Sequence, residues 1–135
     1  MAGTSQKNIK IFYADDDSDD AFFFKNAVKE INSSYMFISF ASGVDLLDSI
    51  AIDRNDHNII FLDLNMPQKN GIECLSDIRN NQQMAETPVF IISTSNNEHH
   101  RSQARTIGAN DYIEKPSSFN VLKQRIKDAI ESTLS

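Results

Sequence analysis

The chain has 135 residues, a formal net charge of −6 and 40% hydrophobic residues, which is typical of one globular domain. The acidic balance excludes a nucleic-acid-binding surface, and Cys74, the only cysteine, excludes a disulfide framework. No apolar stretch approaches the ~20 residues that cross a bilayer, and residues 1–8 lack the apolar core of a signal peptide. We therefore expect a cytoplasmic protein without membrane insertion, with a flexible N-terminus over residues 1–8 and one folded domain over residues 9–134.

Short apolar runs alternate with longer segments of helical spacing along the whole chain. In chain order, the predicted elements are strand Ile9–Ala14, helix Ser18–Ile31, strand Tyr35–Phe40, helix Val44–Ile52, strand Asn58–Asp63, helix Gly71–Arg79, strand Pro88–Ser93, helix Glu98–Ile107, strand Asp111–Glu114 and helix Ser117–Leu134. This alternation favours a parallel sheet with helices on both faces. The sequence therefore predicts an α/β fold with a doubly wound, five-stranded parallel sheet and five helices.

Polar side chains stand where the predicted strands end. They are Asp15, Asp16 and Asp17 after the first strand, Asp63 at the end of the third, Ser93 at the end of the fourth and Lys115 after the fifth. Parallel strands end at the same edge of a sheet, and doubly wound proteins bind their ligands there. We therefore expect these groups to form one site.

The acidic loop after the first strand is the strongest signal for a metal. Asp19 and Asp20 fit the first turn of a helix, whose dipole favours acids. Asp15 and Asp16 stand against the end of a buried strand, where like charges repel. A divalent cation relieves that repulsion, and Mg²⁺ prefers oxygen ligands. The sequence therefore predicts a Mg²⁺ site in this loop.

Asp63 ends an apolar strand, and no helix begins directly after it, so a capping role explains it poorly. A carboxylate can attack phosphorus and form an acyl phosphate. Asp15, Asp16 and Asp63 together with Lys115 leave two negative charges, which one divalent cation balances. Hydroxyl donors such as Ser93 would then assist an entering phosphoryl group.

In their order and spacing, these motifs resemble the receiver domain of bacterial two-component signalling, the response-regulator fold, over about residues 9–134. The resemblance rests on Asp15-Asp16, the stretch from Asp63-Leu-Asn-Met-Pro to Gly71, Pro88, Ser93 and the segment from Gly108 to Lys115-Pro116. The first loop is most similar to that of the stand-alone subtype, so we expect no output domain. The resemblance implies a flavodoxin-like sheet of order 2-1-3-4-5.

The resemblance also implies a chemistry for the acidic residues. Asp63 would be the phosphorylated residue. Asp16 would bind Mg²⁺ directly, Asp15 directly or through water, and Asp63 and the backbone carbonyl of Asn65 would complete the protein ligands.

Further residues are implied to contact the phosphoryl group or to report its presence. Ser93 and Lys115 would contact the phosphoryl group, and Tyr112 would move with Ser93 as the switch. Thr94 stands where the family usually has Ala or Gly, so we expect narrower access to the phosphoryl group. The Lys115–Pro116 bond is typically cis in the family, as X-Pro bonds allow.

The first helix carries a candidate partner surface. At about 100° per residue, Phe24 lies at the centre of its apolar stripe, Phe23 at the margin and Phe22 on nearly the opposite side. The resemblance implies that this helix docks a sensor histidine kinase or a histidine phosphotransfer protein, so Phe22 is the predicted partner contact. The downstream protein is unknown from the sequence, and homodimer formation is left open.

Two other functions are alternatives, and the second of them shares this topology. A phosphohydrolase of the haloacid-dehalogenase type uses an Asp-x-Asp motif, which Asp15-Asp16-Asp17 could supply, but this chain lacks the later acidic pair of such enzymes. A flavodoxin-like FMN carrier needs a phosphate loop rich in glycine and hydroxyls, whereas this loop is acidic. The sequence favours a phosphoacceptor switch over either alternative, and therefore a signalling protein rather than a metabolic enzyme.

Overall fold

The computed structural model describes residues 8–134 as alternating strands and helices. They are β1 (Ile9–Ala14), α1 (Ser18–Ile31), β2 (Met36–Phe40), α2 (Gly43–Ala51), β3 (His57–Asp63), α3 (Gly71–Arg79), β4 (Val89–Ser93), α4 (Glu98–Ile107), β5 (Asp111–Glu114) and α5 (Phe119–Ser132). The strands form one parallel sheet of order β2-β1-β3-β4-β5, which confirms the predicted fold class. Of the predicted flexible segment 1–8, all but Asn8 lies outside the described residues.

The element boundaries differ from the predicted ones by at most two residues. The largest difference is in α5, which begins at Phe119 rather than at Ser117. Ser118 ends the preceding loop as the N-cap, because its hydroxyl accepts a hydrogen bond from the Val121 amide at 3.3 Å. Within residues 8–134, no helix combines the length and the apolar character needed to span a membrane.

Helices cover both faces of the sheet, which explains why the central strands are apolar on both sides. On one face, α1 and α5 pack over an aromatic row in which the ring of Phe61 lies 5.0 Å from that of Phe24 and 5.1 Å from that of Phe90. On the other face, α2, α3 and α4 enclose a second apolar cluster. Cys74 is buried in that second cluster, as the inward face of α3 predicts.

The connection between β3 and α3 holds the end of β3 in place. The Gly71 amide donates to the Leu64 carbonyl at 3.0 Å, and Asn70 and Glu73 form a capping box at the start of α3. A Cβ atom at Gly71 would lie 2.6 Å from the carbonyl oxygen of Asp63. Only glycine therefore allows α3 to approach the backbone of Asp63 this closely.

Candidate functional site

Three carboxylates meet at the edge of the sheet where the strands end. Asp15 and Asp16 follow β1, and Asp63 ends β3, which is paired with β1. One carboxylate oxygen from each residue lies within 4.8 Å of the other two. Asp15 and Asp63 are buried, whereas Asp16 is exposed. The structure thus brings together the three acidic residues that the sequence singled out.

This arrangement fits a magnesium ion. The donors are all oxygen atoms, which Mg²⁺ prefers, and the exposed side at Asp16 gives access to the water ligands that Mg²⁺ retains. Asn65 is an exposed residue of the loop after β3, two residues beyond Asp63. Its backbone carbonyl as a fourth protein ligand stays a prediction.

The environment of Asp63 changes its acidity. Burial raises its pKa to about 6; the hydrogen bond and charge of Lys115 act in the opposite direction, and the charges of Asp15 and Asp16 add to the increase. The Asp63 carboxylate is therefore mainly ionised at neutral pH, as a nucleophile must be. It is ionised at a free-energy cost, because a buried charge beside two like charges is destabilised.

Lys115 is the cation of the site. Its Nζ lies 2.8 Å from Asp15 Oδ2, 2.9 Å from Asp63 Oδ1 and 2.9 Å from Asp20 Oδ2. Burial alone would lower the pKa of Lys115, but its hydrogen bonds to these three carboxylates raise the pKa above its usual value. The Lys115 ammonium therefore keeps its proton and its positive charge beside Asp63 Oδ1.

Asp20 is the site residue that sequence reasoning missed. The sequence assigned it only to the first turn of α1, where its backbone amide donates to the N-cap side chain of Asp17. Its ion pair with Lys115 joins residues 95 positions apart. No local pattern signals such a contact; only the topology, which brings the start of α1 and the end of β5 to the same edge, could have suggested it.

Ser93 and Lys115 are connected through the backbone. The Lys115 amide donates to the Ser93 carbonyl at 2.7 Å, which holds the ends of β4 and β5 together. The buried Ser93 hydroxyl accepts a hydrogen bond from the Ser95 amide at 3.0 Å, so its own hydrogen stays available for another acceptor. Thr94 is exposed beside it. The expected cis bond before Pro116 is not found: residues 8–134 contain only trans peptide bonds, the intrinsically favoured form.

Tyr112 occupies an inward position in this structure. Its side chain is buried, and its hydroxyl donates to the backbone carbonyl of Ser95 at 3.0 Å. The guanidinium of Arg101 on α4 lies 4.9 Å from the centre of the ring. The ring of Tyr112, the predicted switch residue, is therefore turned inward in this structure.

The aromatic residues of α1 follow the predicted helical geometry. Phe22 is 60% exposed, Phe23 49% exposed and Phe24 buried. A cavity of about 120 Å³ opens between α1 and α5 beside Lys115, and Phe23 is among the residues that line it. The exposure of Phe22 is confirmed, but of the two exposed aromatic residues of α1 it is Phe23 that lines the cavity beside the acidic site.

Comparison with known proteins identifies the family. Residues 11–127 match the response regulator receiver domain. The chain belongs to this family. Receiver domains bind Mg²⁺ at an acidic pocket and interact with histidine kinases and with downstream targets.

The sequence similarity to relatives covers most of this chain. Protein PilG of Pseudomonas aeruginosa is 32% identical over 92 residues, which cover 67% of this chain and 68% of PilG. Chemotaxis protein CheY-3 of Vibrio cholerae is 27% identical over 132 residues, which cover 97% of this chain and 98% of CheY-3. These similarities support a role in phosphorelay signalling rather than either of the alternative functions.

Solved structures of receiver proteins have the same fold. The phosphorylated cyanobacterial phytochrome response regulator RcpA superposes with a TM-score of 0.82 at 27% identity, covering 95% of both chains. The receiver domain of the Francisella response regulator 1452 has a TM-score of 0.76 at 30% identity, covering 93% of this chain and 99% of its own.

Proposed function

We propose that this receiver domain accepts a phosphoryl group on Asp63, with Mg²⁺, from a histidine kinase or a histidine phosphotransfer protein. It then signals through contact with a downstream protein. The observation that carries the proposal is the position of the Asp63 carboxylate, which is buried, mainly ionised at neutral pH and 2.9 Å from the Lys115 ammonium.

The proposed chemistry is one transfer and one hydrolysis. An oxygen of the Asp63 carboxylate attacks the phosphorus of phosphohistidine, the phosphorus–nitrogen bond breaks, and its electron pair stays with the imidazole, which takes up a proton. Water later attacks the phosphorus, the bond to the Asp63 oxygen breaks, and inorganic phosphate leaves with the carboxylate restored. Because the transfer ends on the protein's own side chain, the domain is a switch rather than an enzyme with an external substrate.

Each residue of the site has a defined task in this proposal. Asp15, Asp16 and Asp63 would hold Mg²⁺, which would supply positive charge that offsets the charge of the phosphoryl oxygens. Lys115 supplies a second positive charge next to the reacting oxygen. Ser93 donates a hydrogen bond to a phosphoryl oxygen, because its contact with the Ser95 amide leaves its hydroxyl hydrogen free.

Labelling with a small phosphoryl donor tests the proposal. Acetyl phosphate and Mg²⁺ should add one phosphoryl mass to the protein, read as intact mass at mild pH, and Asp63→Asn should abolish the addition. Asp53→Asn is the matched control, because Asp53 is also paired with a lysine, Lys10 at 2.7 Å, but lies away from the acidic site. Equal labelling of Asp63→Asn and the unsubstituted protein would contradict the assignment.

A further inference from the structure

The Tyr13 phenol reaches the acidic site from within the core. Its hydroxyl donates a hydrogen bond to Asp15 Oδ2 at 2.5 Å, and both residues are buried. We infer that Tyr13 is a positioning residue, which orients the Asp15 carboxylate so that a single oxygen, Oδ1, is offered to Mg²⁺ or to a water bound to it. This inference rests on the proposed Mg²⁺ site.

The hydrogen bonds of Asp15 show which oxygen stays available. Oδ2 accepts from the Tyr13 hydroxyl and from Lys115 Nζ at 2.8 Å, and Oδ1 accepts from the Asp17 amide at 2.9 Å. A carboxylate oxygen has room for about two donors. Oδ2 is therefore fully occupied, whereas Oδ1 keeps one acceptor position.

The Tyr13 ring is held firmly enough to fix its hydroxyl. It stacks on Phe24 with ring centroids 4.1 Å apart, and the Phe37 ring lies 6.3 Å away on the β2 side. Tyr13 lies on β1, and Asp15 follows two residues later in backbone that still pairs with β2, so their side chains leave the chain on the same side. The aromatic cluster under α1 thus determines where the Tyr13 hydroxyl meets Asp15.

Loss of this hydroxyl should weaken Mg²⁺ binding. Residues that orient a metal ligand through a hydrogen bond typically change metal affinity by about 10- to 100-fold when they are removed. Lys115 would remain on Asp15 Oδ2 in the absence of the phenol. We therefore expect the lower end of that range, about a tenfold loss for Tyr13→Phe.

Calorimetric titration with Mg²⁺ alone provides the test, since it does not depend on phosphorylation. Tyr13→Phe removes only the hydroxyl and keeps the stacked ring, and Tyr35→Phe is the matched control because Tyr35 lies outside the site. The affinity should fall about tenfold in Tyr13→Phe and stay unchanged in Tyr35→Phe. In an Asp15→Asn background, Tyr13→Phe should have no further effect, because its action passes through Asp15.

The outcomes separate this inference from the proposed function. If the unsubstituted protein binds Mg²⁺ and Asp16→Asn abolishes binding, the metal site stands. Equal affinity of Tyr13→Phe and the unsubstituted protein, or an equal loss with and without Asp15→Asn, would then overturn the role of Tyr13 alone. Absence of Mg²⁺ binding by the unsubstituted protein would overturn both this role and the metal part of the proposed function.

Discussion

Asp63 is a buried acid whose charge destabilises the folded chain, and this has a measurable pH dependence. Burial raises its pKa to about 6 from the ordinary 3.8, so between these values the folded state holds the proton more strongly than the unfolded state does. The contribution of Asp63 to stability therefore falls as pH rises through this window, and the destabilisation is complete above it.

Asp63→Asn should consequently stabilise the metal-free protein at pH 8, by about 1–3 kcal/mol. The gain should shrink as the pH falls through 6 towards 4, where Asp63 is itself neutral in the folded state. Urea unfolding in the presence of a chelator, repeated across this pH range, measures the difference. A variant that is less stable than the unsubstituted protein at pH 8 would contradict the account of Asp63.

Asp53 is the control, because its ionised carboxylate has the opposite effect on stability. Burial acts to raise the pKa of Asp53, but hydrogen bonds from Lys10, Asn58 and the Asn55 amide lower this pKa overall. Its ionised form therefore stabilises the fold above its unfolded pKa, and the stabilisation is lost as the pH falls through the folded value. Asp53→Asn should destabilise at pH 8, and the same urea series would show this.

At the scale of the elements, periodicity and turn residues predicted most of the structure. The helical spacing of α1 placed Phe24 in the core and Phe22 in solvent, and the apolar runs of β3 and β4 marked central strands. These features were predictable because they depend on neighbours in the sequence. The ion pair of Asp20 with Lys115 and the position of Phe23 at the cavity were not, because they depend on how α1 packs against α5.

The α1 surface yields a prediction about the partner. Phe22→Ala and Phe23→Ala should slow phosphotransfer from the cognate histidine protein, since both rings are exposed on α1 and exposed aromatic residues are frequent binding anchors. Labelling by acetyl phosphate should be nearly unchanged, because a small donor needs only the pocket. The stability of Phe22→Ala should change by less than ~0.5 kcal/mol. Time courses of phosphorylation, measured with the histidine protein and with acetyl phosphate as donors, give the effect.

Ile52→Ala is the control for this surface. Ile52 follows α2 and is the most exposed of the large hydrophobic residues that the structure describes, at 76%. Its truncation should leave transfer from both donors unchanged. Equal slowing of both donors by Phe22→Ala or Phe23→Ala would mean that the pocket itself was damaged, and a large loss of stability for Phe22→Ala would mean that the ring is part of the core.

The close packing of α3 against the end of β3 can be tested by a substitution at Gly71. Alanine at position 71 would gain up to about 1 kcal/mol of helix propensity. Its Cβ, however, would lie 2.6 Å from the Asp63 carbonyl oxygen, so backbone must move. We expect Gly71→Ala to destabilise by about 1–3 kcal/mol and to slow labelling of Asp63. A stability gain with unchanged labelling would contradict the close approach.

At the scale of the whole molecule, the site is connected to the face formed by α4 and β5. The Ser93 hydroxyl contacts the Ser95 amide, and the Ser95 carbonyl accepts from Tyr112, whose ring lies under Arg101 of α4. A phosphoryl group on Asp63 should accept a hydrogen bond from the Ser93 hydroxyl. It should therefore shift the conformational equilibrium of residues 93–95 and, through the Ser95 carbonyl, that of Tyr112.

Beryllofluoride with Mg²⁺, a mimic of the phosphoryl group, tests this connection by NMR. Chemical shift changes should extend from Asp63 to Tyr112 and Arg101 in the unsubstituted protein. Tyr112→Phe, which loses the hydrogen bond to Ser95, should reduce the changes at Arg101 while those in the acidic pocket persist. Changes confined to the pocket in the unsubstituted protein would refute the coupling.

The identity of the phosphorylated residue is the central claim, and chemical trapping tests it most directly. After incubation with acetyl phosphate and Mg²⁺, borohydride reduces an acyl phosphate to an alcohol, which converts the labelled aspartate to homoserine. Peptide mass spectrometry then locates the converted residue. We predict homoserine at position 63 alone, dependent on Mg²⁺; homoserine at position 15 or 16, or none at all in protein that carries the phosphoryl mass, would contradict the account.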